Sequence, residues 1–183
     1  MKQKRFGTPI LGEVPVSVGI DQSYSGFGLA VIGEGGYYAT VTKFESRGVS
    51  RLDDVQDHIR HSLDPYYGFI KDVAMEGYAY GSQMANMAGE IGAAVKLVLY
   101  QQYGIYPLVI PPTTLKKYMT GKGNAAGKSQ IMLQVYKKFG IELLDDNAAD
   151  AYALAKIASG AATLAYEKEV LEMLKDPKFR DAE

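Results

Sequence analysis

Cysteine is absent from the 183 residues, and histidine occurs only twice. The first absence excludes disulfide frameworks, thiolate metal sites and cysteine nucleophiles, and a chain of this size buries a one-domain core without such staples. A reducing cytoplasm, that of a bacterial or phage-infected cell, is the expected setting. His58 and His61 lie three apart in a helical pattern and are read as solvated residues on its polar face, not as a zinc pair. An excess of one charge is also missing. With 20 basic against 21 acidic side chains the net charge is -1, so a polyanion must be gripped by a local basic face. Near the start, Lys2, Lys4 and Arg5 run into Gly7, Pro9, Gly12, Glu13 and Pro15, and neither a signal peptide nor a membrane span is expected.

What is present is an alternation of apolar strands and amphipathic helices. Residues 1–14 are expected to form a flexible arm. "VPVSVGID", "GLAVIG" and "YYATVTKFES" carry the β-branched, alternating pattern of three antiparallel strands, the last two joined through Gly33, Gly35 and Gly36. "SRLDDVQDHIRHSLDPYYGFI" then predicts a helix capped by Ser50, with Leu52, Val55, Ile59 and Leu63 on one stripe. "DVAMEGYAY" predicts a central strand bearing Glu76. A long Ala- and Gly-rich helix follows from about Gln83 to Tyr103, then a strand in "YPLVIPP" stopped by Pro111 and Pro112. Two helices are expected within 113–139 and another from about Asn147, and residues 161–183 are expected to form a charged helical tail.

The acids fall at telling places in this order. Asp21 ends the first strand and Glu76 ends the central one, while "DDNAADAYALA" sets Asp146, Asn147 and Asp150 on the first turns of a helix. Residues three and four apart share a helix face, so Asp146 or Asn147 can stand beside Asp150. Ligands of open α/β sheets gather at the carboxyl ends of the strands. Carboxylates converging there repel one another unless a cation neutralises them, and such hard oxygen donors suit Mg2+, with Mn2+ as a substitute. Two such ions about 4 Å apart can serve the attacking water and the leaving oxygen of phosphoryl transfer. Each acid alone has a plainer explanation, as a turn former or a helix N-terminal residue; the combination points to chemistry.

These residues carry a family resemblance. "GIDQSYSGFG", "VAMEGYAY" and "NAADAYALA", with "YMTGKGNAAGKSQIMLQV" between, are similar to the motifs of the RuvC-type Holliday-junction resolvases of the RNase H-like superfamily, over residues 16 to about 158. The resemblance implies an α/β fold with a mixed five-stranded sheet over residues 15–160. It also implies that Asp21, Glu76 and Asp150 are catalytic metal ligands. At the fourth ligand position the chain has Asn147, with Asp146 one place earlier, and either can complete the site.

Lys116, Lys117, Lys122 and Lys128 surround glycine-rich turns, followed by Lys137 and Lys138, and form a candidate phosphate grip that supplies affinity without reading sequence. "GNAAGKS" is no ATP loop: Lys122 occupies the place where a Walker glycine is needed, and no nucleotide cofactor is expected. Tyr78 and Tyr80, just after Glu76, are candidates to stack on bases at a branch point.

The expected function is a divalent-metal-dependent endonuclease that resolves four-way DNA junctions by symmetric paired nicks, with two ions per site. Two nicks imply a homodimer. The helix from about Gln83 to Tyr103 is the candidate interface, with Gly89, Gly92, Ala93 and Ala94 permitting close approach. The rival readings are a broader flap or fork nuclease of the same fold, or a nucleotide- or junction-binding protein without cleavage.

Overall fold

The pleat of one strand divides the molecule. In β2 (Val16–Asp21) all six residues are buried, which happens only when both faces of a strand are covered. Val16, Val18 and Ile20 point into one apolar cluster, while Ser17, Gly19 and Asp21 point to the other side. In this computed structural model, which describes residues 1–77, 85–124 and 129–180, β2 lies inside a six-stranded sheet. The other strands are β1 (Lys2–Gly7), β3 (Phe27–Gly33), β4 (Gly36–Lys43), β5 (Ile70–Glu76) and β6 (Leu108–Ile110). The spatial order is β1-β4-β3-β2-β5-β6; β1 pairs with β4, β4 with β3 and β3 with β2, all antiparallel, whereas β5 pairs parallel with β2 and β6 parallel with β5.

Two helices cover the Val18 face. α1 (Val49–Leu63) buries Val55, Ile59 and Leu63 there, and α2 (Ala85–Tyr103) adds Ile91, Val95, Val98 and Leu99. The opposite face holds α5 (Asp146–Ala158), itself covered by α3 (Pro112–Thr120), α4 (Ser129–Phe139) and α6 (Ala165–Met173). Being enclosed on all sides, α5 is apolar around most of its circumference. Its alanines let it lie flat on the sheet, and two glycines complete the fit. A Cβ at Gly19 would overlap the Ala151 carbonyl and the Ala155 amide, and one at Gly28 would overlap the Asn147 carbonyl.

Four expectations are corrected. The sheet has six strands, not five, because residues 2–7 of the expected arm pair with β4 along its whole length. "KQKRFG" has almost no apolar pattern to announce a strand; it is an edge, where lysines face water and only Phe6 packs on the core. Residues 161–180 are docked and do not form a free tail. Val170 and Leu174 are buried, and Arg180 pairs with Asp72 at 2.6 Å while donating to the Tyr106 carbonyl at 2.9 Å. The N-cap of α1 is Gly48, and no side chain caps it. His58 is buried, edge-on to Phe27 and Phe44, with Nε2 3.3 Å from Thr42 Oγ1. The buried face of α1 is wider than the Leu52–Val55–Ile59 stripe implied, and it includes Arg51 and His58. Burial, helped by the neighbouring His61, pushes the His58 imidazole down to about 4, so it is neutral at physiological pH.

Replacing Gly19 by Ala should therefore force α5 off the sheet and destabilise the protein by roughly 1–3 kcal/mol or more, the usual cost of overpacking. Gly36→Ala, where an added Cβ meets nothing within 4 Å, should leave the midpoint of urea unfolding unchanged in the same experiment.

Candidate active site

Two parallel neighbours bring the first two acids together. β2 and β5 pair up to Ile20 opposite Met75, so Asp21 and Glu76 are the next residues on adjacent strand ends. Val73 and Met75 face α1 and α2, so Ala74 and Glu76 face α5, as Asp21 does. α5 crosses this face with Asn147 against Gly28, the residue paired with Asp21, and Ala151 against Gly19. Asp150 thereby joins the two strand acids.

The electrostatics reflect that meeting. Asp21 is 3% exposed, and burial is the main force raising its carboxyl well above the usual carboxylate range. The negative charges of Glu76 and Asp150 push it further, and a hydrogen bond shared with Glu76 adds to this. The Ser23 N–H, donating to Asp21 Oδ1 at 3.2 Å, opposes the shift. Among the described residues no three acidic or histidine side chains close round a single point as a finished metal cage. The three carboxylates are electrostatically coupled without being closed on one point. Their donor set, hard anionic oxygens from two adjacent strand ends and the helix crossing them, fits a divalent cation of the Mg2+ class.

The start of α5 separates the two candidates for the fourth donor. Asp145 is the N-cap: its Oδ1 accepts from the Asn147 N–H at 3.1 Å, and its Oδ2 takes the Lys4 ammonium at 2.7 Å. Burial alone would raise the Asp145 carboxyl, but Lys4 and the Asn147 N–H outweigh it and hold the group below its ordinary range. Asp146 acts electrostatically on Lys4, toward the β1 edge. The Asn147 amide borders the turn after β2, where a Cβ at Gly26 would come within 2.8 Å of its Nδ2. Asn147 thus borders the turn after β2, and Asp146, equally half-buried, lies within electrostatic reach of Lys4.

That turn is fixed by residues that sequence patterns did not single out. Gln22, buried, donates from Nε2 to the Glu76 carbonyl at 2.8 Å. Arg51, also buried, donates to the carbonyls of Tyr24 (3.0 Å), Ser46 (2.9 Å) and Phe44, and its guanidinium lies 3.8 Å from the Tyr24 ring centre. An arginine inside an otherwise amphipathic helix pattern carries no local signal of such a role.

The candidate DNA contacts are dispersed. Lys116 is half-buried, Lys117 pairs with Glu169 at 2.6 Å, and Lys122 is exposed beyond α3. Lys138 is drawn inward onto Glu167 at 2.6 Å and the Tyr118 carbonyl at 3.3 Å. Lys128, Tyr78 and Tyr80 lie outside the described residues. A cavity of about 820 Å³ lies away from the acids, between β1 and α1, with Arg5, Tyr38, His58 and His61 in its wall. A phosphodiester presented on a duplex surface needs an accessible crevice and not a deep pocket, so the acids and not this cavity define the candidate site.

No family model matches the chain, and no curated protein sequence matches it. Solved structures do. The structure of Thermus thermophilus RuvC is 23% identical, with a TM-score of 0.58, over 76% of this chain and 90% of that one. T. thermophilus RuvC in complex with Holliday junction substrate is 22% identical, with a TM-score of 0.61, over 77% and 90%. The chain therefore has the RuvC-like, RNase H-like α/β fold.

The raised Asp21 carboxyl has a sign that can be measured. Its folded-state pKa lies above its unfolded value, so its contribution to stability is present in acid and is lost as pH rises through the raised value. In EDTA at pH 7.5 or so, Asp21→Asn should melt higher than wild type, because it removes the buried charge. The difference should shrink toward pH 4, and Mg2+ should stabilise wild type alone.

Proposed function

We propose that the protein is a divalent-metal-dependent endonuclease that resolves four-way DNA junctions. The observation that carries this reading is the convergence of Asp21, Glu76 and Asp150 at the carboxyl ends of β2 and β5. The RuvC-like fold, shared with a protein solved on a Holliday junction substrate, supports the choice of substrate.

Asp21, Glu76, Asp150 and the side-chain carbonyl oxygen of Asn147 would hold the ions, two per site. Asp146 is the alternative fourth donor. Bound there, Mg2+ or Mn2+ supplies the chemistry of in-line phosphodiester hydrolysis, activating water and stabilising the departing 3′ oxygen. The chain's own contribution is to fix the donors beforehand. Gly19 and Gly28 seat α5, Asp145 caps it, and the Ser23 N–H orients the Asp21 carboxylate. Lys116, Lys117, Lys122 and Lys128 would meet phosphates along the arms, with Lys117 exchanging Glu169 for DNA. Tyr78 and Tyr80 would stack at the branch point.

Paired nicks need two active sites related by symmetry. α2 offers a surface for that pairing: Ala93, Leu97 and Tyr100 form an outward stripe, with Leu97 48% and Tyr100 53% exposed. Gly92 and Ala94, expected at this interface, are buried within the protomer, which leaves Gly89 and Ala93 as its small residues. We infer a homodimer through this stripe.

On a labelled synthetic four-way junction, Mg2+ should support paired nicks that EDTA abolishes. Glu76→Gln and Asp150→Asn should each slow them by about a hundredfold or more, the scale of losing one preorganised electrostatic contact. Asn147→Ala should cost more activity than Asp146→Ala. Equal cutting of a flap would favour the broader branched-DNA nuclease, and tight binding without cutting would favour a junction-binding protein. Leu97→Asp should sediment as a monomer and leave single, uncoordinated nicks.

A further inference from the structure

The residue after Asp21 is placed where stability alone would not put it. Gln22 is 4% exposed, and its amide hydrogen bonds at 2.8 Å to the main-chain carbonyl of Glu76. Its Oε1 is buried and has no hydrogen-bond partner among the described residues. An acceptor buried in this way costs stability, and an apolar side chain of the same length would fill the space without that cost. Polar groups kept against such a cost concentrate at functional sites.

The topology shows what the amide accomplishes. The parallel ladder between β2 and β5 ends at Ile20 and Met75. Beyond it β2 must leave the sheet to form the turn in which Ser23 reaches back to Asp21 and Arg51 holds Tyr24. Just past the end of that ladder the Gln22 side chain adds a tie from β2 to the Glu76 carbonyl. The chain can therefore turn away while the two strand ends stay tied. Buried carboxylates on those ends repel each other, so an untied pair would spread. A lysine or arginine could make the same bond but would neutralise part of the negative charge that attracts a cation. A neutral amide ties the ends and leaves the charge intact.

We propose that Gln22 is a positioning residue that sets the spacing of Asp21 and Glu76 for the divalent cation. This rests on the nuclease reading above, and the test separates the two. Mn2+ binding to the full chain without DNA is followed by electron paramagnetic resonance and calorimetry, alongside thermal unfolding in EDTA, for wild type, Gln22→Met and Gln22→Asn. Gln22→Met removes both the donor and the orphaned acceptor; it should melt at or above the wild-type temperature yet bind Mn2+ about tenfold more weakly, as expected when the support of a ligand is lost. Gln22→Asn keeps an amide too short for the Glu76 carbonyl and should show the same weakening. A folded variant that binds Mn2+ like wild type overturns the proposal. A variant that loses melting temperature and Mn2+ affinity together makes Gln22 structural and also overturns it. Failure of wild type itself to bind Mn2+ overturns the nuclease reading, and this one with it.

Discussion

The seat of α5 on the sheet is the contact on which the site depends. Helices usually pack on sheets through side chains, which hold the two backbones well apart. Here Gly19 and Gly28 remove the sheet's side chains under the helix, and the alanines of α5 reduce its own. The backbones come together and Asp150 is carried down to the level of the strand ends. Any side chain at Gly19 would lift the helix and with it the acid. The same constraint explains why α5 is enclosed: a helix this poor in large side chains gains its burial from α3, α4 and α6 packing over it, not from its own bulk.

Against that tight frame stands an unfavourable charge arrangement. Glu76 and Asp150 push up the carboxyl of the buried Asp21, and the Ser23 N–H opposes that shift. Elsewhere the molecule treats buried charge differently. Glu167, equally buried, accepts from the N–H groups of Thr163 and Leu164 and from Lys138, and its carboxyl is held below the ordinary range. Asp72 has Arg180. The contrast is informative: Glu167 and Asp72 are neutralised by cations of the chain itself, whereas the Asp21 carboxyl is raised by its acidic neighbours.

Much of this was legible because it depends on period. Apolar strands that end in an acid, and a helix opening on acids three and four apart, are local patterns, and they located Asp21, Glu76 and Asp150 without tertiary information. What stayed hidden depends on distant partners. β1 is a strand only because β4 presents a free edge to it, and its charged text cannot announce that. The C-terminal helix holds Val170 and Leu174 at i and i+4 among charges that look solvated, although two of the charges, Glu167 and Arg180, are its anchors. His58 follows the helical period badly because the buried face of α1 is broad and aromatic neighbours from β3 and the segment after β4 receive it. The N-cap of α5 is Asp145, whose partner Lys4 lies on the far edge of the sheet, and no local pattern announces that pairing.

The pleat also keeps two kinds of surface apart. Odd-numbered residues of β2 look toward α5 and the acids, and even-numbered ones toward α1 and α2. A slip of one residue in β2 would turn Asp21 into the apolar cluster and an isoleucine into the carboxylate crevice, so the register is defended by both cores at once. The outward stripe of α2 lies beyond the second core, across the full thickness of the sheet from Asp150. Changes there reach the acids only through the rigid packing of Val95, Val98 and Leu99 on β2 and β5. The outward stripe and the acids are in this way related by geometry, through their placement on one rigid sheet, and not by shared side chains.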